Sequence, residues 1–339
     1  MSEDLRVPPP APRCLTIDVE DYYHAEAARA AYFQDRWGQF PARVEPNTYK
    51  LLELLDRHQV RATFFMLGHV VKRRTTLARQ IQDAGHEVAC HGTMHDRLAR
   101  LGPNRFRADV DYCRKLLEDQ TGRPVLGYRA PSFSLGADTP WAVEVLLELG
   151  FTYDASVFPV WHPYYGSPRA PLTPFELRGT PHGPGILEVP PLVWRGFGRR
   201  VGVAGGGYFR LLPLTFMKRG LVQARRVGRP AVLYFHPWEF DAQTPRAKLP
   251  LTNRIRLYHG LGRATRRLEH LLRWAGRRGA GWSTIAAALP TLRPAAEAQP
   301  PFALCDSEPD ADDAAPPPIP LPAAAPAAPA ARQRVAHRA

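Results

Sequence analysis

With 339 residues, 45% of them hydrophobic, the chain can hold two average domains or one α/β barrel, and it is too apolar for a disordered protein. A formal charge of +13 suits an anionic polysaccharide, nucleic acid or membrane face, or reflects a composition simply rich in Arg; no RNA- or DNA-binding motif accompanies it, so nucleic acid is not an expected partner. Four cysteines (Cys14, Cys90, Cys113, Cys305) are too few for a disulfide scaffold and match no zinc-finger spacing, and no stretch of 18 apolar residues suggests a membrane-spanning helix.

Residues 1–13 read as a Pro-rich leader without the apolar core of a secretory signal, which predicts a cytoplasmic protein. Cys14–Glu20 reads as a strand. Asn47 is placed to cap a helix carrying Leu51, Leu54, Leu55 and His58. Val60–Leu67 is rich in β-formers, and residues 73–84 form a helix closed by Gly85. His86–Cys90 reads as the next strand, Pro103–Gln120 as a helix, Val125–Arg129 as a strand and Thr139–Leu149 as a helix. Short strands follow at Phe151–Asp154 and Ile186–Val189, and a buried one at Ala231–Phe235. Residues 254–278 predict one long amphipathic helix with the stripe Leu257, Leu261, Ala264, Leu268, Leu271 and Ala275. Its many arginines form a solvated side, or else a contact with the inner-membrane face. Residues 291–339 read as a disordered Ala/Pro-rich tail, more acidic than the rest. Strands alternating with helices through residue 290 predict a mostly parallel sheet, and Asp18, Glu20, His91, Arg129 and His236 all end or follow strands. In a (β/α) barrel such positions converge on the C-terminal face.

The chemistry follows from those positions. His91 and His95, four apart, would share a face on a helical turn and bind one metal ion. Strand alternation puts Thr16, Asp18 and Glu20 on one side, so one carboxylate can ligate while the other acts as a base; Asp21 is the alternative to Glu20. Two imidazoles and a carboxylate suit a catalytic divalent cation, zinc foremost, with cobalt, manganese, nickel and iron open. Asp154 and Ser156 end a strand that could line the cleft, Trp238 and Glu239 follow His236 and could support it or touch sugar, and Trp194 and Tyr208 are candidate sugar platforms. His24, His58, His69 and His86 take no assigned role.

Thr16-Ile-Asp-Val-Glu-Asp21, His91-Gly-Thr-Met-His95, Tyr128-Arg-Ala-Pro-Ser-Phe133 and Leu233-Tyr-Phe-His236 occur in the order of the motifs of polysaccharide deacetylases with a NodB-homology domain, carbohydrate esterase family 4. The resemblance covers residues 14–290. Gly205-Gly-Gly-Tyr-Phe-Arg210 and Tyr234-Phe-His-Pro-Trp-Glu239 resemble the branch associated with exosortase/PEP-CTERM exopolysaccharide loci, which carries an added C-terminal region, here about 240–290. The resemblance implies a distorted (β/α) barrel with a helical extension, and a metal-dependent N-deacetylase. Its substrate would be N-acetylhexosamine units of a bacterial exopolysaccharide, with peripheral contact to a membrane or to export machinery. By position, Asp18 matches the base, His91 and His95 the metal ligands, Arg129 the partner that orients the base, and His236 the general acid. Leu233 matches the apolar pocket for the acetyl methyl, while Pro131, Ser132 and Phe133 fall where substrate binds, with an oxyanion donor at the N–H of Ser132 or Phe133. Two departures stand out: the usual adjacent aspartates are separated here by Val19, and Pro131 arrives early after Arg129. The rival expectations are an amidohydrolase for small molecules or cyclic imides on the same barrel, and a catalytically inactive carbohydrate-binding scaffold.

Overall fold

The computed structural model describes residues 11–162, 164–196, 198–277 and 281–307. Most of the leader and residues 308–339 of the expected tail lie outside them. Strand β1 (Arg13–Val19) is buried along its length from Cys14 on, as a strand flanked on both faces must be, and its interior is Cys, Leu, Thr, Ile, Asp and Val rather than a strict alternation. It pairs in parallel with β2 (Ala62–Met66), which pairs with β3 (Glu87–Cys90), then β4 (Gly127–Tyr128) and β5 (Tyr153–Asp154). The sheet continues through β6 (Phe175–Arg178) and β7 (Gly185–Glu188), an antiparallel pair with β7 beside β5, and a separate hairpin forms from β8 (Val193–Gly196) and β9 (Arg199–Gly202). Strand β10 (Ala231–Phe235) lies on the other side of β1, where β11 (Trp282–Ser283) also touches; β12 (Phe302–Ala303) edges β6.

Among the described residues no ladder joins β12 to β10, so the barrel is incomplete there. Individual bonds bridge the gap: Leu192 N–H donates to the Val232 carbonyl at 2.9 Å and Tyr234 N–H to the Ala204 carbonyl at 3.1 Å. Gly205 forms a parallel bridge with Tyr234, and a Cβ at that position would collide with the Tyr234 carbonyl.

Helices α1 (Val44–Arg57), α2 (Gly68–Arg73), α3 (Leu77–Asp83), α4 (Leu98–Thr121) and α5 (Trp141–Glu148) follow the early strands. Asn47 sits inside α1 and caps nothing; the cap comes from Asp21, whose carboxylate accepts the N–H groups of Arg43 and Val44 at 2.6 and 3.0 Å. Helices α6 (Gly206–Leu211) and α7 (Leu214–Arg226) precede β10. The expected single helix over 254–278 is two, α8 (Leu251–Tyr258) and α9 (Leu261–Gly276), because Gly260 takes a left-handed conformation (φ 78°) between them. Helix α10 (Ile285–Glu297) crosses the boundary expected at residue 290, so residues up to 307 belong to the folded body. No helix among the described residues is long and apolar enough to cross a membrane.

Side chains sort into two faces by alternation. Leu15, Ile17, Val19, Leu233 and Phe235 join the core against the surrounding helices. Cys14, Phe65, Ala89, Tyr153, Leu187 and Val232 form a second cluster with Ile285, Ala288, Leu292 and Ala296 of α10. Helix α10 therefore plugs the end of the barrel at which β1 begins, and polar side chains occupy the opposite end, where β1, β3 and β10 finish.

Candidate active site

On β1 the inward series runs Thr16, Asp18, and Glu20 lies just past the strand, its N–H bonded back to the Asp18 carbonyl at 2.9 Å. His91 follows directly after β3. The expected helical turn joining it to His95 is absent: the segment is an irregular loop, and His95 adopts a left-handed backbone (φ 52°). The loop nonetheless brings both Nε2 atoms to one oxygen of Glu20, His91 at 3.1 Å and His95 at 2.9 Å. His91 Nδ1 lies 2.8 Å from the Arg129 carbonyl. A carbonyl only accepts, so Nδ1 carries the proton and Nε2 keeps its lone pair for a ligand. Glu20, His91 and His95 are all buried and offer one oxygen and two nitrogens within 4.8 Å of one another. That donor set fits a divalent cation with positions left open. Burial alone would raise the Glu20 carboxyl, but the surrounding imidazoles of His95, His236 and His91 hold it well below the usual carboxylate range.

Asp18 is held by Arg129, whose side chain is 0% exposed. Arg129 Nη1 donates to Asp18 Oδ1 and to Thr16 Oγ, both at 2.7 Å, and Nε donates to the Ala155 carbonyl at 3.0 Å. The guanidinium also lies 4.2 Å from the centre of the Phe65 ring. Asp18 Oδ2 is left facing His236 Nε2 at 3.8 Å. The other side of that imidazole is equally constrained. Glu239 Oε2 accepts the His236 N–H at 3.0 Å and lies 3.1 Å from Nδ1, Arg210 Nε donates to Glu239 Oε1 at 2.6 Å, and Trp238 stacks on the ring at 5.3 Å. Burial opposes a charge on His236, yet Glu20, Glu239 and Asp18 outweigh it and raise the imidazole to about 9. The site therefore pairs a carboxylate with an imidazolium across an opening suited to proton transfer in both directions.

These groups floor a cleft of about 810 Å³ walled by Ser132, Phe133, Tyr208 and Tyr234, with Arg97, Tyr164 and Arg256 towards its mouth. Ser132 and Phe133, like His95, have left-handed backbones (φ 56° and 51°). Such conformations cost of order 1–3 kcal/mol in non-glycine residues and concentrate at functional sites.

Several expected positions fall elsewhere. Asp21 is spent on capping α1, which leaves Glu20 as the carboxylate beside the histidines. Leu233 points outward into the helix-facing core, since residues 233 and 235 share the face opposite His236; Tyr234 is the β10 residue on the cleft wall. Asp154 is fully buried and bonded to Ser156 Oγ at 2.6 Å; burial raises it and its neighbour Glu188, and neither reaches the cleft. Pro131 is buried beneath Ser132 and Phe133 and lines no part of the opening. The Phe133 N–H is already committed to the Ala130 carbonyl at 3.1 Å, leaving that of Ser132 as the donor from this turn. Trp194 packs on Phe216 away from the cleft, whereas Tyr208 and Trp238 line it. Arg210 carried no signal of its role, because its partner lies 29 residues away; Glu239 and Trp238, expected to support His236 or to touch sugar, both lie against its imidazole.

Residues 29–153 match the model of the polysaccharide deacetylase family, and residues 155–289 match a domain of unknown function (DUF3473). The first match contains His91, His95 and Arg129; Asp18 and Glu20 precede it, and His236, Glu239 and Arg210 lie in the second. Curated relatives include a peptidoglycan deacetylase-like protein (FGM2) of Gibberella zeae, 34% identical over 122 residues that make 35% of each chain. A peptidoglycan deacetylase of Helicobacter pylori is 32% identical over 117 residues, 34% of this chain and 39% of that one. The chain thus spans little more than a third of these relatives. Among solved structures, a Mycobacterium smegmatis protein provisionally described as a polysaccharide deacetylase aligns with TM-score 0.57 and 22% identity, over 88% of this chain and 94% of that one. The allantoinase Puue aligns with TM-score 0.56 and 15% identity, over 84% and 91%. Both share the barrel fold.

Proposed function

From a chain that carries a polysaccharide deacetylase domain, of an amide-hydrolysing and generally metal-dependent class, we propose the removal of N-acetyl groups from N-acetylhexosamine units of a bacterial exopolysaccharide, with zinc as the divalent cation. The observation that carries the proposal is the placement of Asp18 and His236 on opposite sides of one opening, 3.8 Å apart, beside the Glu20, His91 and His95 donor set. A cation held by Glu20, His91 and His95 would lower the pKa of water and polarise a carbonyl. Asp18, aligned by Arg129, takes the proton of the attacking water. The Ser132 N–H faces the oxygen that gains charge. His236, protonated and oriented by Glu239, gives its proton to the leaving amine, and acetate departs from an amino sugar.

The cleft favours a polymer over a small cyclic imide. Its mouth is bordered by exposed side chains, with Tyr164 39% and Leu211 43% exposed, so a chain can run past the site instead of being enclosed. An inactive scaffold would have no need for a base and an acid each held by a buried ion pair.

Acetate release from N-acetylglucosamine oligomers, after chelation and after adding back each divalent metal, tests the proposal. Release should require metal. Asp18→Asn should lower kcat by roughly 10²–10⁴-fold with metal content retained, and His91→Ala should lose the metal. Tight metal binding without acetate release under any metal would overturn the polysaccharide reading.

A further inference from the structure

The cleft mouth carries more positive charge than deacetylation of a neutral sugar requires. Arg97 comes from the loop two residues beyond His95, and Arg256 from α8, far along the chain, yet both converge on Tyr164. Arg97 Nη2 donates to the Tyr164 carbonyl at 2.6 Å, and the Arg256 guanidinium lies 4.8 Å from the centre of the Tyr164 ring. Among the described residues neither has a carboxylate within ion-pair distance. The neighbouring Arg100 differs, being neutralised by Glu26 at 2.7 Å. The adjacent His162 adds no charge at neutral pH, because burial and then Arg256 lower it to about 4. Two half-buried guanidinium groups thus meet at one residue, one on its carbonyl and one on its ring, and without a carboxylate partner among the described residues most of their N–H donors have no protein acceptor.

We propose that Arg97 and Arg256 form an anion subsite around Tyr164, so that the substrate is an N-acetylated glycan bearing an oxyanion, carboxylate or phosphate, within reach of the cleft mouth. The inference rests on the deacetylase reading of the same cleft. Guanidinium forks bind carboxylate and phosphate through paired, charge-assisted hydrogen bonds, and the partly exposed Tyr164 ring adds an apolar face for the sugar beside them. The charge can come from a hexuronate in the polymer or from a diphosphate at the sugar's reducing end. Both present the same chemistry to the two arginines.

The test compares three substrates on the metal-loaded full chain at low and high salt: a neutral N-acetylglucosamine tetramer, a hyaluronan tetrasaccharide and UDP-N-acetylglucosamine. At low salt at least one anionic substrate should exceed the neutral one by about tenfold in kcat/KM, the worth of one good charge-assisted contact. That advantage should shrink at high salt. Arg97→Gln and Arg256→Gln should each raise KM for the anionic substrate far more than for the neutral one. Preference for the hyaluronan fragment identifies a uronate as the source, and preference for the nucleotide sugar a phosphate. Equal kcat/KM for neutral and anionic substrates, or equal losses on both in the variants, would overturn the subsite. Calorimetric binding of both anionic compounds to the wild type and the two variants is read independently of turnover. If no acetate is released from anything, arginine-dependent anion binding still supports the subsite while the deacetylase reading fails, and no such binding overturns the subsite.

Discussion

Glu239 governs the charge of His236. Its carboxylate is fully buried, and burial alone would favour the neutral form; Arg210 and His236 instead keep it ionised below its ordinary range. The ionised carboxylate in turn helps raise His236 to about 9. As the proposed general acid, His236 works only while protonated, so activity should persist below its pKa and be lost as pH rises through it. A cation held by Glu20 would offset that carboxylate and would draw the alkaline limb below 9. Glu239→Gln removes the nearest remaining negative charge, so the limb of kcat/KM should move to lower pH by a further one to two units, roughly the reach of one close opposite charge. Activity at pH 6 should suffer less than activity at pH 8. An unchanged limb would mean that Glu239 only packs against the ring.

Elements carry the site through their ends and close approaches. Helix α1 starts without a capping side chain of its own because Asp21, just after β1, supplies the acceptor, which ties the end of β1 to the helix. Strand β10 depends on Gly205 in a similar way. The segment from Ala204 to Gly206 lies against Tyr234 closely enough that no side chain fits at Gly205, and this contact bridges the gap left by the incomplete barrel. Gly205→Ala must push that segment off β10, at a cost of about 1–3 kcal/mol, a common magnitude for overpacking. A lower urea midpoint together with reduced kcat is the expected result, since Tyr234 and His236 both belong to or follow β10. A variant with unchanged midpoint and turnover would show that the segment relaxes freely.

At the scale of the molecule, the packed plug and the candidate site occupy opposite ends of the barrel. Helix α10 seals one end with Ile285, Ala288, Leu292 and Ala296, all buried against the strand interiors. Leu292→Ala should cost about 2–5 kcal/mol through lost burial and the cavity left behind. A scanning melt should show a lower Tm while metal content and kcat at 25 °C are retained. Loss of metal in step with Tm would mean that the plug and the site are not separable.

The sequence by itself determined the candidate reacting groups. Asp18, Glu20, His91, Arg129 and His236 stand at strand ends, and alternation along β1 puts Asp18 inward; both signals are local and survive any error in helix boundaries. Tertiary structure decided what local pattern leaves open. Glu20 rather than Asp21 meets the histidines because α1 packs where Asp21 can cap it. Tyr234 rather than Leu233 faces the cleft because β10 takes its register from β1, where Leu15 pairs with Leu233. Asp154 withdraws to Glu188, Arg210 reaches Glu239, and Arg97 and Arg256 both reach Tyr164, each through contacts between residues distant in the chain. A one-residue shift in register or one neighbouring element reverses such an assignment, and neither is written in the periodicity of any single segment.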